Sequence, residues 1–505
     1  MLLPIYGDPK LTDTSFRQFL LADRRNLLLA GIAIAVIIVN LVIFKWIYPY
    51  MDITPDSESY LTAAAYHLQA DLWPVGYSRI LELQHSLLRS ETGLMAFQYL
   101  CLQTGAFFLY FTILYMLRPG KLFTYGAWLF LLINPLFLYL SNYIITEALF
   151  LALGFTWFAL LLWVRYKPGT LVFLLHGVVL AVAFTMRYNA MFFPVVALGA
   201  ILPARAAAWK KVYAIALPLV LIGAFIWYTS YQTYKLTGVR KFSVFSGWQL
   251  ANNAMYMLPY IAYDTTGLPA HLQGLHRYAH QFVKSKLFNP EEATLPAGAY
   301  YMWTQNGPLK VMLASYMKKH KVTDSYTGWA RVSDAYSDYG KFLIKKHPLA
   351  FATHFWLPNV VEYLRPGTEM IGNSNRNKIG TPGVMRQWFR NTPVLINDRF
   401  PQLQPFLMSK YTFLFIFLQL AFIEEIIRFI YLKRHKYVAL IFNQVMALFV
   451  TFQLVHFCFS TLAAPVVLRY QAMLIVLLAF GVLLLIEKND NTPIWSDTAE
   501  PVPDI

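Results

Sequence analysis

The side chains best suited to chemistry follow the first long apolar run, in Met51-Asp52-Ile53-Thr54-Pro55-Asp56-Ser57-Glu58-Ser59-Tyr60. Asp52, Asp56 and Glu58 would lie at a membrane surface, where partial desolvation lifts a carboxyl pKa toward that of a useful base. Pro55 suits the first position of a helix, which places Asp56 and Glu58 in its opening turn. The plain alternative is an acidic turn that merely starts an interfacial helix. Glu147, Arg187 and Arg469 lie at or near the ends of other apolar runs, and ionisable groups at membrane depth are functional suspects. Their plain alternatives are helix N-terminal charge for Glu147 and snorkelling for the arginines. Together, two arginines and several carboxylates would form a phosphate-plus-base site. His276 and His280 share a helix spacing but lack a third metal ligand. Glu424 and Glu425 read as partners of Arg428.

The elements that carry these residues are membrane spans. Of 505 residues, 57% are hydrophobic and 13% charged, which excludes a soluble multidomain enzyme and any disordered or fibrous class. Mean hydropathy is +0.45. The expected fold is an all-α polytopic membrane protein with spans near 27–49, 93–117, 122–140, 144–164, 170–186, 190–203, 212–232, 411–432, 437–460 and 466–486, ten in all. Fifteen Lys and Arg fall on one side of this arrangement, and only Arg187 and Arg469 fall in the short connections of the other. That asymmetry predicts cytoplasmic termini. Residues 170–203 read as two short helices turning at Arg187, or as one broken span that would invert everything after it.

This topology divides the chain into a transmembrane module 1–232 with an outer loop 51–92, an extracytoplasmic segment 233–410, closing spans 411–487 and a cytoplasmic tail 488–505. The segment 233–410 holds 21 Lys/Arg against 9 Asp/Glu, while the loop 51–92 holds 2 against 6. A basic surface beside a bilayer attracts anionic lipid headgroups and lipid phosphates. No nucleic-acid motif accompanies it. A run over 349–364 after His347-Pro348 predicts an amphipathic helix on the membrane. The two cysteines, Cys101 and Cys458, lie in apolar stretches and predict no disulfide.

Pro55-Asp56-Ser57-Glu58-Ser59-Tyr60, followed by Leu72-Trp73-Pro74-Val75-Gly76-Tyr77, resembles the first outer loop of C-type (GT-C) membrane glycosyltransferases, the superfamily of protein O-mannosyltransferases and lipid A aminoarabinose transferases. Asn134-Pro135 with Ser141 to Glu147, Phe184 to Met191 around Arg187, and Leu468-Arg469-Tyr470 resemble that superfamily's second acidic turn, paired short helices and closing helix. The resemblance implies a GT-C-like fold in a bacterial inner membrane. It also implies a polyprenyl-phosphate sugar donor and inverting transfer to a hydroxyl acceptor on the outer face. By the same match Asp56 is the catalytic base, with Asp52 as its neighbouring alternative, and Glu147 is the second acid. Arg187, Arg469 and Tyr470 would bind the donor phosphate, and Glu58, Tyr60 and Tyr77 would position substrate. Asp56 and Glu147 could hold Mg2+ or Mn2+, although no cofactor is required. The second acid is Glu where Asp is common, and Pro74 lacks the basic residue that follows it in the aminoarabinose group.

The chemistry suits these residue types independently. A sugar phosphate already carries a good leaving group, so the protein needs a base for the acceptor hydroxyl and positive charge for the departing phosphate. An O-antigen ligase or polymerase with a diphosphate-linked donor would also use a basic outer segment. A transporter would place its charges at the midplane within inverted repeats.

Overall fold

The computed structural model describes residues 14–374, 380–390, 392–396 and 398–491. The polar tail after Glu487 reads from sequence as disordered, but residues 488–491 continue the last helix, and 492–505 lie outside the described residues. Among the described residues the chain is helical with no strand, and two isolated bridges, Asp52–Tyr143 and Gly367–Val467, are the extended pairings.

Seven helices are long and apolar enough to cross a bilayer: Arg24–Ile47, Glu91–Leu117, Lys121–Asn142, Glu147–Tyr166, Ala208–Thr237, Leu440–Ala463 and Leu468–Asp490. The sequence reading gave ten. Of the other three, Thr170–Met186 has 17 residues, or about 26 Å of helix, and Phe193–Ile201 is shorter still. Neither alone matches a hydrocarbon core of about 30 Å. The third, Leu403–Tyr431, is 29 residues long but carries Glu424, Glu425 and Arg428 near its end. Arg428 pairs there with Glu425 at 3.6 Å, as expected, and also with Asp490 of the last helix at 2.7 Å, which the sequence did not indicate. The span expected over 122–140 is broken at Asn134-Pro135, because proline has no N–H and crowds the preceding turn. The Asn134 side chain caps the new helix by accepting from the Leu136 N–H.

The segment 170–203 forms two helices rather than one broken span. Phe192 packs against His456 and Phe459, whereas Gly199 lies beside Leu448, about two turns back along the same neighbouring helix. The chain therefore turns at Arg187 and heads back into the bundle.

The segment 233–410 is mainly helical and has its own apolar core around Trp248, Leu275, Leu309, Trp329 and Tyr339. Its closest helix pair, Phe245–Met255 and Ser325–Lys346, meets at two glycines. A Cβ at Gly247 would collide with the Ser333 carbonyl, and one at Gly340 would stand 2.8 Å from that of Leu250. His276 and His280 share a face and pack ring to ring at 4.6 Å.

Residues 348–364 form a helical run, interrupted by a π turn, whose Leu349, Leu357, Val361 and Leu364 are exposed while Phe355, Asn359 and Tyr363 are buried. That is the amphipathic pattern expected. Asn359 donates to the Thr461 and Ala464 carbonyls, both at 2.8 Å, and accepts from the Val466 N–H at 2.9 Å. This fixes the short connection that leads into Arg469.

Candidate functional site

The helix Pro55–Ala65 starts as its sequence requires, with proline in the first turn and a reciprocal Thr54–Ser57 capping box. Its approach is clamped by backbone. The Asp52 N–H donates to the Asn142 carbonyl at 2.8 Å, and the Asp52 carbonyl accepts from Ile144 at 3.2 Å. The acidic loop is thereby tied to the turn that carries Glu147. The second bridge does the same on the far side, where the Leu468 N–H donates to the Gly367 carbonyl at 2.9 Å and brings Glu369 beside Arg469.

Glu147 is buried and is the hub of the site. Its Oε1 accepts from Arg187 Nη1 at 2.6 Å and from Arg469 Nη1 at 2.5 Å. Thr146 Oγ1 accepts a further bond from Arg187 Nη1 at 3.1 Å. Arg469 Nε donates to Glu369 at 3.0 Å, and its Nη2 donates to the Tyr470 hydroxyl at 3.1 Å. Both guanidiniums also lie over the Tyr470 ring, at 4.7 Å for Arg469 and 5.0 Å for Arg187. Charge-assisted bonds at these lengths hold planar groups in fixed directions.

Asp56 faces this ionic cluster and is half-buried. Burial pushes its carboxyl up to about 6; Arg469 and Arg187 pull it down, while Glu147 and Glu369 push it further up. Among the described residues no hydrogen bond holds this carboxylate. Tyr60, one helical turn on, shares its face and packs on Tyr77 with ring centroids 5.1 Å apart.

The structure thus gathers Asp56, Glu147, Arg187, Arg469, Tyr470 and Tyr60, and it revises several expectations. Glu58 is exposed, because two residues of helix turn it about 200° from Asp56; it takes no part in the cluster. Asp52 is buried against Tyr143, outside the ionic cluster, and its side chain accepts from the Ile53 N–H at 2.8 Å. It shapes the loop through these bonds. Tyr77 is fully buried behind Tyr60 and donates to Gln98 at 2.8 Å, so it braces the site without lining it. Glu147 is engaged by two guanidiniums and anchors both. Among the described residues no group of three or more His, Cys, Asp or Glu could hold a metal ion. With two cations already on Glu147, the residues present do not fit a divalent ion shared with Asp56.

Glu369 is the member that sequence reading missed. It lies in the segment 233–410 and carries φ +48°, a left-handed conformation that is uncommon for a side chain of this kind. Pro366-Gly367 just before it marks a turn, but nothing in the sequence aims the carboxylate at Arg469.

Fold and site together define a helical membrane protein with a buried ionic cluster beside a single unbonded carboxyl. Comparison with family models, with curated proteins and with solved structures returns no match.

Proposed function

We propose that this chain is an inverting glycosyltransferase of the membrane. It moves a sugar from a polyprenyl-phosphate donor to a hydroxyl acceptor at the outer, extracytoplasmic face. The observation that carries this reading is Asp56: a carboxyl lifted to about 6, held by no hydrogen bond among the described residues and set against paired arginines. A base for a hydroxyl at neutral pH needs such a value and a free oxygen.

In the reaction, Asp56 takes the proton of the acceptor hydroxyl. The acceptor oxygen bonds to the anomeric carbon from the face opposite the phosphate, and the bond from that carbon to the phosphate oxygen breaks. The sugar is inverted, and polyprenyl phosphate leaves with the electron pair. Arg187 is better placed than Arg469 to meet that phosphate. Arg187 gives only Nη1 to protein partners among the described residues, whereas all three Arg469 nitrogens are engaged. Arg469, anchored by Glu147 and Glu369, supplies fixed positive charge. The test is to incubate purified protein with a panel of polyprenyl phosphate sugars and determine which is consumed. If none is, with any acceptor fraction from the same membrane, the proposal fails.

A further inference from the structure

Away from the ionic cluster, five aromatic rings form a connected group, and three of them surround one lysine. Trp248 and Trp329 stack at 3.7 Å and are buried. Trp303 leans on Trp329 at 5.6 Å and on Phe245 at 6.2 Å, and Phe245 touches Trp73 at 4.8 Å. Lys310 Nζ stands 4.5 Å from the Trp329 ring centre, 5.0 Å from that of Trp303 and 5.6 Å from that of Trp248. Among the described residues it has neither a carboxylate nor a hydrogen-bond acceptor. Trp303 is 43% exposed, and Phe245, Trp73 and Lys310 are half-buried.

The three indoles hold the ammonium by cation–π attraction, and its N–H donors have no acceptor among the described residues. A partly exposed indole beside an ammonium whose N–H groups meet no acceptor among the described residues offers two complementary contacts. The ring packs on the C–H face of a pyranose, and the ammonium meets an anionic substituent. The surrounding segment favours the same charge, with 21 Lys/Arg against 9 Asp/Glu over 233–410. The platform is linked to the site through the chain. Trp73 belongs to the loop that carries Asp56, and Tyr188, next to Arg187, donates to the Phe242 carbonyl at 2.7 Å.

We propose that Trp303, Phe245 and Trp73 with Lys310 form a subsite for an anionic saccharide, and that the acceptor is therefore an acidic glycan. This rests on the reading of the chain as a glycosyltransferase, but it is tested by binding alone. The full chain in zwitterionic nanodiscs is titrated with trigalacturonic acid, with neutral maltotriose, and with a tricarboxylate that is not a sugar, by calorimetry. Trigalacturonate should bind saturably, and the tricarboxylate about tenfold more weakly or worse. Lys310→Gln should weaken trigalacturonate about fivefold and leave maltotriose unchanged. Trp303→Ala, at an exposed position, should weaken both sugars on the order of tenfold. No saturation by about 10 mM, equal binding of the tricarboxylate, or trigalacturonate affinity indifferent to both Trp303→Ala and Lys310→Gln would each overturn the subsite. Absence of sugar transfer with this binding intact would count against the proposed reaction alone.

Discussion

Replacing Asp56 with asparagine separates the two effects a buried base has on a protein. A carboxyl whose folded pKa is raised binds its proton more tightly in the folded chain than in the unfolded one. Stability is therefore lost as pH rises from the unfolded value through the folded one. For Asp56 the window runs from 3.8 to about 6. At about 1.4 kcal/mol per tenfold change in proton affinity, the ionised side chain costs the fold on the order of 3 kcal/mol at neutral pH. The open edge of this half-buried group brings that nearer to about 2 kcal/mol. Asparagine fills the same space without charge, and among the described residues no hydrogen bond depends on the carboxylate. Asp56→Asn should thus withstand heat in detergent at pH 7.5 at least as well as the parent. Sugar transfer should fall about 10²- to 10⁴-fold, the usual worth of a general base. The parent's activity should rise with pH through an inflection near 6, where Asp56 becomes ionised. Transfer within about tenfold of the parent, or a clear loss of heat resistance, would show that Asp56 is not a base held at a cost to the fold.

Glu147→Gln leaves the buried Arg469 and the half-buried Arg187 without their shared carboxylate. A loss of about 3–5 kcal/mol is expected, read as poor recovery of folded protein by fluorescence-detected size exclusion; normal recovery would deny Glu147 its anchoring role. Arg187→Lys keeps the charge but loses the edge that faces away from Glu147, so the donor KM should rise more than kcat falls in steady-state transfer assays. Glu58→Ala, on the exposed face of the same helix, should change transfer by less than about twofold, and a larger loss would return Glu58 to the site. Asn359→Ala removes three bonds to the connection before Arg469. It should cost about 2–3 kcal/mol, seen as earlier thermal inactivation.

What the sequence determined by itself is local. Apolar run length and composition settled the helical membrane class, since a bilayer admits helices of a minimum length and little else. Pro55 marked where the helix of Asp56 begins, yet the residues alone left Glu58 grouped with Asp56, and the folded helix turned it to the exposed face. Only the tertiary structure decided which charges meet. Glu147 and Arg469 stand 322 positions apart, and their bond depends on how two spans pack. Glu369 joins them through one backbone bridge at Gly367 and a left-handed turn, for which the chain carries no composition signal. The same packing occupies every nitrogen of Arg469 and spares an edge of Arg187, although in sequence each is simply an arginine near the end of an apolar run. Periodicity reports which face a residue occupies, whereas partner and proton affinity follow from distances between elements remote along the chain.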